Sequence, residues 1–101
     1  MRKLSMFDLT GNVAIITGGY DGIGRGIAEG LTEAGSDIVI CSRNYRRCTK
    51  ACTEIEKLGV RTLPIECDIS RTDQVENLIS ETIKEMGKVN ILVNNAGVLD
   101  S

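Results

Sequence analysis

The arrangement that most constrains this 101-residue chain is a cluster of glycines directly behind a short apolar segment. Val13–Thr17 has the length of a buried strand, and apolar residues at helical spacing, up to Leu31, follow the glycines. Gly18, Gly22 and Gly24 leave backbone N–H groups uncovered where the positive end of that helix begins. A side chain there would block an anion, and a tight strand-to-helix turn requires positive φ. The pattern therefore predicts a strand, an anion-binding loop and a helix.

The remaining sequence repeats the alternation of strand and helix. Near-continuous apolar strands that alternate with amphipathic helices indicate parallel pairing through right-handed crossovers. We therefore predict the order βαβαβαβ, the first half of a Rossmann-type doubly wound parallel sheet of the α/β class, in one domain spanning residues 1–101. Pro64 cannot donate a ladder hydrogen bond and so favours an edge strand. The predicted further strands are Ile38–Cys41, Val60–Cys67 and Val89–Val93, and the further helices begin near Tyr45 and after Ser70.

The helix boundaries also follow from the sequence. Gly35, Gly59 and Gly87 are each placed to end a helix. The second helix is expected to carry Leu58 on its apolar face, just before Gly59. Ser70-Arg-Thr-Asp73 is typical of a capping-box variant and predicts the start of the third helix.

Composition excludes several kinds of partner. A formal net charge of −2 and basic residues that are scattered apart from Arg46 and Arg47 give no basic surface for nucleic acid or a membrane. No apolar stretch reaches the length of a membrane span, so we expect a cytoplasmic protein. The four cysteines form no Cys-x-x-Cys pair and the chain has no histidine, which predicts reduced, partly buried thiols and no zinc site.

The end of the second strand predicts which dinucleotide the loop would bind. Three glycines within seven residues exceed what a turn that binds nothing needs, although their spacing is not that of the usual dinucleotide fingerprint. At the end of the second strand an acidic residue favours the free ribose of NAD, and arginine favours the 2′-phosphate of NADP. This chain has Ser42, Arg43 and Asn44 there, so NADP is expected first and NAD second. Arg46 and Arg47 follow in the next helix, where one of them faces the phosphate or both lie on a solvated face.

Three segments together resemble the short-chain dehydrogenase/reductase family. They are Thr17-Gly-Gly-Tyr-Asp-Gly-Ile-Gly24, Cys67-Asp68 and Asn94-Asn-Ala-Gly97, within a match from about Leu9 to the end. The residues around them look most like the tropinone-reductase, gluconate-dehydrogenase and 3-oxoacyl-reductase branches, which share no single substrate. The resemblance implies hydride transfer between a nicotinamide dinucleotide and a small carbonyl or alcohol, in a full-length form that is a homo-oligomer.

The resemblance also implies roles for individual residues. The glycine loop would line the pyrophosphate and nicotinamide ribose, Ser42–Asn44 would surround the 2′-phosphate, and Asp68 would bind the adenine amino group. Asp68 is alternatively a helix-entry residue, and Asn94 is expected to tie the central strands together. The implied cofactor-binding residues are Gly18, Tyr20, Asp21, Gly22, Ile23, Gly24, Ser42, Arg43, Asn44, Asp68, Ile69, Asn95, Ala96 and Gly97.

Two departures from the family pattern bear on function. Asp21 stands where many NADP-using relatives have a basic residue, and it would instead cap the first helix. The family's catalytic serine and Tyr-x-x-x-Lys segment would follow the Asn-Asn-Ala-Gly segment, and neither Tyr20 nor Tyr45 has a lysine four residues later. We therefore name no catalytic residue and expect a truncated, inactive chain. The alternative is a short nucleotide-binding or regulatory module that pairs through its open sheet edge with another chain.

Overall fold

The predicted alternation of strands and helices is present throughout the structure. This computed structural model describes residues 8–95, so the expected cofactor contacts at Ala96 and Gly97 lie outside the described residues. The elements are β1 (Val13–Thr17), α1 (Gly22–Glu33), β2 (Asp37–Ser42), α2 (Tyr45–Glu56), β3 (Thr62–Glu66), α3 (Thr72–Met86) and β4 (Ile91–Asn94).

The four strands form one parallel sheet in the order β3-β2-β1-β4. The chain moves outward from β1 to β3 and then crosses back, so that β4 pairs with the other side of β1. The order therefore reverses between β1 and β4, at the position where open α/β sheets bind ligands. This topology confirms the Rossmann-type half. Pro64 lies in β3, which pairs only with β2 within residues 8–95, as expected for an edge strand.

The core lies on both faces of the sheet. Ile16 and Ile40 point to one face and pack with Ile55 of α2, whereas Ile15 points to the other face and packs with Leu78 of α3. These five side chains are at most 2% exposed. Burial of each such side chain stabilises the fold by about 1.5–3 kcal/mol. Because successive side chains of β1 and β2 point to opposite faces of the sheet, both faces need a helix over them, and α2 and α3 therefore lie on opposite faces.

The three glycines predicted to end helices all have positive φ: Gly35, Gly59 and Gly87 follow α1, α2 and α3 with φ of 103°, 103° and 90°. The regular part of α2 ends at Glu56, and a tighter turn leads from there to Gly59. The prediction for Leu58 is wrong, because this side chain is 61% exposed and does not lie on the apolar face. The N–H of Leu58 donates to Ile55, three residues back, and this tighter turn rotates its side chain out of the core.

The expected capping box at the start of α3 is also wrong. The N-cap is Arg71, which makes no side-chain cap hydrogen bond. The Ser70 hydroxyl and N–H both donate to Oδ1 of Asp68, at 2.6 and 3.0 Å, because a carboxylate is the strongest acceptor within reach. The side-chain oxygen of Gln74 accepts the N–H of Asp68 at 2.7 Å. The turn that leads into α3 is therefore organised around Asp68.

The four cysteines, all within residues 8–95, form no disulfide and are buried. Burial raises the pKa of the Cys52 thiol to about 11, and burial together with the neighbouring Asp68 charge raises the pKa of Cys67. Thiols in such surroundings stay protonated near neutral pH. Within residues 8–95, no helix is both long enough and apolar enough to cross a bilayer.

Candidate functional site

The carboxyl ends of the strands bring the predicted loops to one edge of the sheet. The Gly18 N–H donates to the Cys41 carbonyl at 2.8 Å, and the Cys67 N–H donates to the Ser42 carbonyl at 2.8 Å. These bonds extend the parallel ladders one step beyond β1 and β3. The glycine loop, the residues after β2 and the residues after β3 therefore lie side by side.

Two glycines of the loop adopt a backbone conformation that other residues rarely take. Gly18 and Gly22 have φ of 66° and 58°, whereas no non-glycine residue within 8–95 has positive φ. A Cβ at Gly22 would meet no atom within 4 Å, so this part of the loop opens onto free space. The expectation that the turn requires positive φ is confirmed.

Gly24 is required for a different reason, which is close packing. A Cβ at this position would lie 2.5 Å from Nδ2 of Asn95 and 2.6 Å from the carbonyl oxygen of Gly18. The first turn of α1 therefore packs directly against the loop after β1 and the end of β4. Asn95 Nδ2 also donates to the Gly18 oxygen at 3.3 Å, which joins the two partners of Gly24 to each other.

Thr17 connects β1 to the end of β4 and was not among the predicted site residues. Its hydroxyl accepts the backbone N–H of Asn95 at 2.9 Å and lies 3.2 Å from Oδ1 of Asn94, to which it donates. Thr17 is 3% exposed. The expected tie between central strands through Asn94 is therefore present. The sequence signals for Thr17 were a hydroxyl at the last position of an apolar strand and its place at the start of the glycine segment.

The first turn of α1 has no internal anionic partner. Asp21 occupies the N-cap position, but its side chain accepts no hydrogen bond from the helix, so the expected side-chain cap is absent. The first turn contains no acidic residue. Ile23 is 78% exposed and lies at the opening of the loop. The positive end of α1 is therefore directed at open space beside Gly22.

The three residues at the end of β2 have separate environments. Ser42 is buried, and its hydroxyl accepts the Asn44 N–H at 2.9 Å and lies 3.2 Å from the Cys48 sulfur. Asn44 caps α2 by accepting the N–H of Arg47 at 3.1 Å. Arg43 is exposed and makes no ion pair within residues 8–95. Of the three, Arg43 alone presents a charged side chain to solvent.

Asp68 lies beside Arg43 at the same edge. Hydrogen bonds from the Ser70 hydroxyl and N–H lower the pKa of Asp68, and the positive charge of Arg43 lowers it further. Both Ser70 bonds go to Oδ1, and Oδ2 accepts no hydrogen bond within residues 8–95. Asp68 thus holds the turn before α3 through Oδ1 alone.

Two cavities adjoin these residues. One of about 430 Å³ lies between the glycine loop, α1 and α2, and there the Arg47 guanidinium carbon stands 5.5 Å from the centroid of the Tyr20 ring. The other, of about 230 Å³, is largely apolar and includes Ile69. The first is lined by Tyr20, Asp21, Arg25, Arg47, Lys50, Ala51 and Glu54. The second is lined by Thr17, Ile69, Val75, Leu78, Ile79, Leu92 and Asn94.

Fold and site together define an α/β protein of the Rossmann type, with a glycine loop at the point where the strand order reverses. The model of the short chain dehydrogenase family matches residues 12–101. This chain belongs to that family, whose members use nicotinamide dinucleotides.

Relatives in this family are considerably longer than this chain. The 2-dehydro-3-deoxy-D-gluconate 5-dehydrogenase of Escherichia coli (strain K12) is 40% identical over 96 residues, which are 95% of this chain and 37% of the relative. The L-fucose dehydrogenase of Bos taurus is 41% identical over 87 residues, which are 86% of this chain and 31% of the relative. This chain therefore spans about a third of the length of such relatives.

Solved structures show the same arrangement. The L-sorbose reductase of Gluconobacter frateurii, solved with NADPH and L-sorbose, superposes with a TM-score of 0.85 at 38% identity. The superposition covers 91% of this chain and 35% of the reductase. At this identity and TM-score, the sheet order and the loop position are shared with an NADPH-binding protein.

Proposed function

We propose that this chain forms the cofactor-binding half of an NADP-dependent oxidoreductase that moves a hydride between the nicotinamide and a small carbonyl or alcohol. One observation carries the proposal: the glycine loop, Arg43 and Asp68 converge at the carboxyl edge of a parallel sheet. The first offers N–H groups, the second a positive charge and the third an acceptor. NADP would use the first for its pyrophosphate, the second for its 2′-phosphate and the third for its adenine amino group.

The residues present fit the phosphates of the cofactor. The first turn of α1 has neither an acidic residue nor a side-chain cap, and the Gly22 position opens onto free space. The pyrophosphate would lie there, with the helix N–H groups as donors. The bound nicotinamide would supply or accept the hydride, whereas the residues described above would orient it and hold its charges.

The residues near β2 and β3 fit the adenosine end. Oδ2 of Asp68 would accept the adenine amino group, and Ile69 in the apolar cavity would contact the ring. Arg43 would bind the 2′-phosphate through its guanidinium, which matches phosphate geometry in two parallel hydrogen bonds. Because β2 ends in Ser42, no carboxylate at that position would repel the phosphate. This favours NADP over NAD.

The chemical step is assigned to no residue within 8–95. Tyr20 contacts Arg47, Tyr45 begins α2, and neither has a lysine four residues on. We propose that the whole enzyme acts on a small carbonyl or alcohol, as a cytoplasmic homo-oligomer. The names of the relatives support a polyol, sugar or related hydroxy compound as the substrate class.

The decisive test is calorimetric titration of the chain with NADP and NAD. We expect NADP to bind more tightly. Arg43→Ala should weaken NADP binding by about 1.5–3 kcal/mol, the value of a charge-assisted hydrogen bond, and leave NAD binding unchanged. Arg46→Ala is the matched control and should change neither affinity. A folded chain that binds NADP and NAD equally, or binds neither, would contradict the proposal.

A further inference from the structure

We propose that Arg47 is a second ligand for the 2′-phosphate and that the ring of Tyr20 holds it in position. This inference rests on the proposed NADP function and adds a residue that determines its specificity. The sequence left open whether Arg46 or Arg47 faces a phosphate or both face solvent. The structure distinguishes them, because Arg47 lines the cavity beside the glycine loop and Arg46 does not.

The contact between Arg47 and Tyr20 bridges the two elements that would flank the phosphate. Tyr20 lies in the glycine loop after β1, and Arg47 lies in the first turn of α2, after Arg43. The guanidinium carbon stands 5.5 Å from the ring centroid, within the range of a cation–π interaction. The ring thereby keeps the guanidinium of this exposed residue next to the glycine loop.

The charges around α2 are unfavourable unless an anion is bound. The positive, N-terminal end of α2 carries three arginines close together, Arg43, Arg46 and Arg47. Its first turn contains no acidic residue. Within residues 8–95 none of the three forms an ion pair, whereas Arg25 in the same cavity pairs with Glu29 and Glu54 at 2.9 and 3.0 Å. The positive charge of Arg25 is therefore already balanced, and that of Arg47 remains for a ligand.

Asp21 makes this second ligand necessary. Its carboxylate lines the same cavity as Arg47 and caps no helix N–H, so its negative charge also faces the proposed phosphate region. Arg43 alone would have to overcome this repulsion. With Arg47 and Lys50 on the opposite wall, the cavity has an excess of positive charge despite Asp21. Arg47 thus supplies the charge that the glycine loop lacks.

Two small ligands isolate the phosphate in question. Adenosine 2′,5′-bisphosphate and adenosine 5′-monophosphate differ only in the 2′-phosphate, and both are titrated calorimetrically against the 101-residue chain. We expect Arg47→Gln to weaken bisphosphate binding about tenfold, or about 1.4 kcal/mol, and to change monophosphate binding less than about twofold. Arg46→Gln should change neither ligand by more than about twofold, and Asp21→Asn should strengthen bisphosphate binding.

Tyr20 is tested as a positioning residue. Tyr20→Leu removes the ring and should weaken bisphosphate binding by most of the loss expected for Arg47→Gln. Tyr20→Phe keeps the ring and should bind the bisphosphate about as tightly as the unmodified chain. In the double variant Tyr20→Leu with Arg47→Gln, the second change should have little further effect. Far-UV circular dichroism and thermal unfolding of each variant confirm that it is folded.

The outcomes separate this inference from the function on which it rests. If Arg43→Ala abolishes the preference for the bisphosphate and Arg47→Gln has no greater effect than Arg46→Gln, the Arg47 assignment is wrong and the NADP proposal stands. If the unmodified, folded chain shows no preference between the two ligands, the NADP proposal fails and the Arg47 assignment fails with it.

Discussion

The side-chain amide of Asn95 donates a hydrogen bond to the carbonyl oxygen of Gly18 at 3.3 Å and so joins the end of β4 to the loop after β1. The backbone N–H of Asn95 is bound as well, to the Thr17 hydroxyl. Both donors of Asn95 therefore hold the glycine loop against the sheet. Asn95 thereby fixes the position of this loop relative to β1 and β4.

Gly24→Ala should destabilise the chain, since its Cβ would meet the Gly18 carbonyl at 2.6 Å, a backbone atom that cannot move alone. We expect a loss of about 1–3 kcal/mol, typical of an overpacked site. Gly26→Ala is the matched control in the same helix, where an added Cβ meets nothing within 4 Å. It should stabilise α1 by about 0.5–1 kcal/mol. Urea unfolding measures the free energy of unfolding of both variants. If Gly24→Ala is as stable as Gly26→Ala, the glycine loop can move to accommodate the added Cβ, and the prediction is wrong.

Thr17→Val should leave the part-buried Asn95 N–H without its acceptor. The expected loss is about 1–3 kcal/mol in the free energy of unfolding, and Thr17→Ser should recover most of it. Thr82→Val serves as the control, because the buried Thr82 hydroxyl donates only to the Leu78 carbonyl of its own helix. That carbonyl keeps its helical partner, so the control should be close to neutral. Equal losses at the two positions would contradict the role of Thr17.

Stability should fall at alkaline pH because of Cys52. Burial raises its pKa from 9.0 to about 11 in the folded chain, so between these values the unfolded chain releases a proton that the folded chain retains. Stability from this group is fully present below pH 9.0 and is lost as pH rises toward about 11, by at most about 1.4 kcal/mol per pH unit. Denaturant unfolding from pH 8 to about 11 should show a shallower decline in Cys52→Ala than in the unmodified chain. If the free energy of unfolding falls equally with pH in both chains, Cys52 is not the cause of the alkaline loss of stability.

The Asp68 carboxylate should titrate at a higher pH when Ser70 is removed. The hydrogen bond from the Ser70 hydroxyl is the largest cause of its lowered pKa, so Ser70→Ala, which removes this bond and keeps the one from the N–H, should raise the pKa toward the ordinary value of 3.8. Because the folded pKa is the lower one, the stabilising contribution is present above 3.8 and is lost as pH falls through the folded value. Carboxyl ¹³C titration by NMR measures this directly, with Ser80→Ala as an exposed control in α3. An unchanged titration in Ser70→Ala would mean that the hydroxyl bond is not the main cause of the lowered pKa.

Much of the fold followed from local signals in the sequence. The apolar segment Val13–Thr17 and the glycines behind it are local features, and their spacing alone predicted β1, the loop and α1. The helical spacing of apolar residues also predicted α2 and α3. Local competition caused the errors: the turn at Leu58 tightened, and the Asp68 carboxylate accepts the Ser70 N–H that a capping box would have given to Asp73.

The side-chain network of the site could not be predicted in the same way. Thr17 meets Asn94 and Asn95 across 77 and 78 residues of sequence, and that contact depends on β4 pairing with β1 on the side away from β2. Tyr20 meets Arg47 only because α1 and α2 lie on the same face of the sheet. Such contacts depend on the topology of the sheet. The spacing of apolar residues along the sequence does not predict which strands and helices become neighbours.

The position of β4 also has a consequence for folding kinetics. β1, β2 and β3 pair through crossovers between neighbours in the chain, whereas β4 must return past all of them to reach β1. Closing so long a segment costs more chain entropy than closing the earlier crossovers, so β4 is expected to dock late. The bonds from Asn95 to Gly18 and Thr17 form only at that stage. The glycine loop thus acquires its final shape only when β4, the last of the four described strands, has joined the sheet.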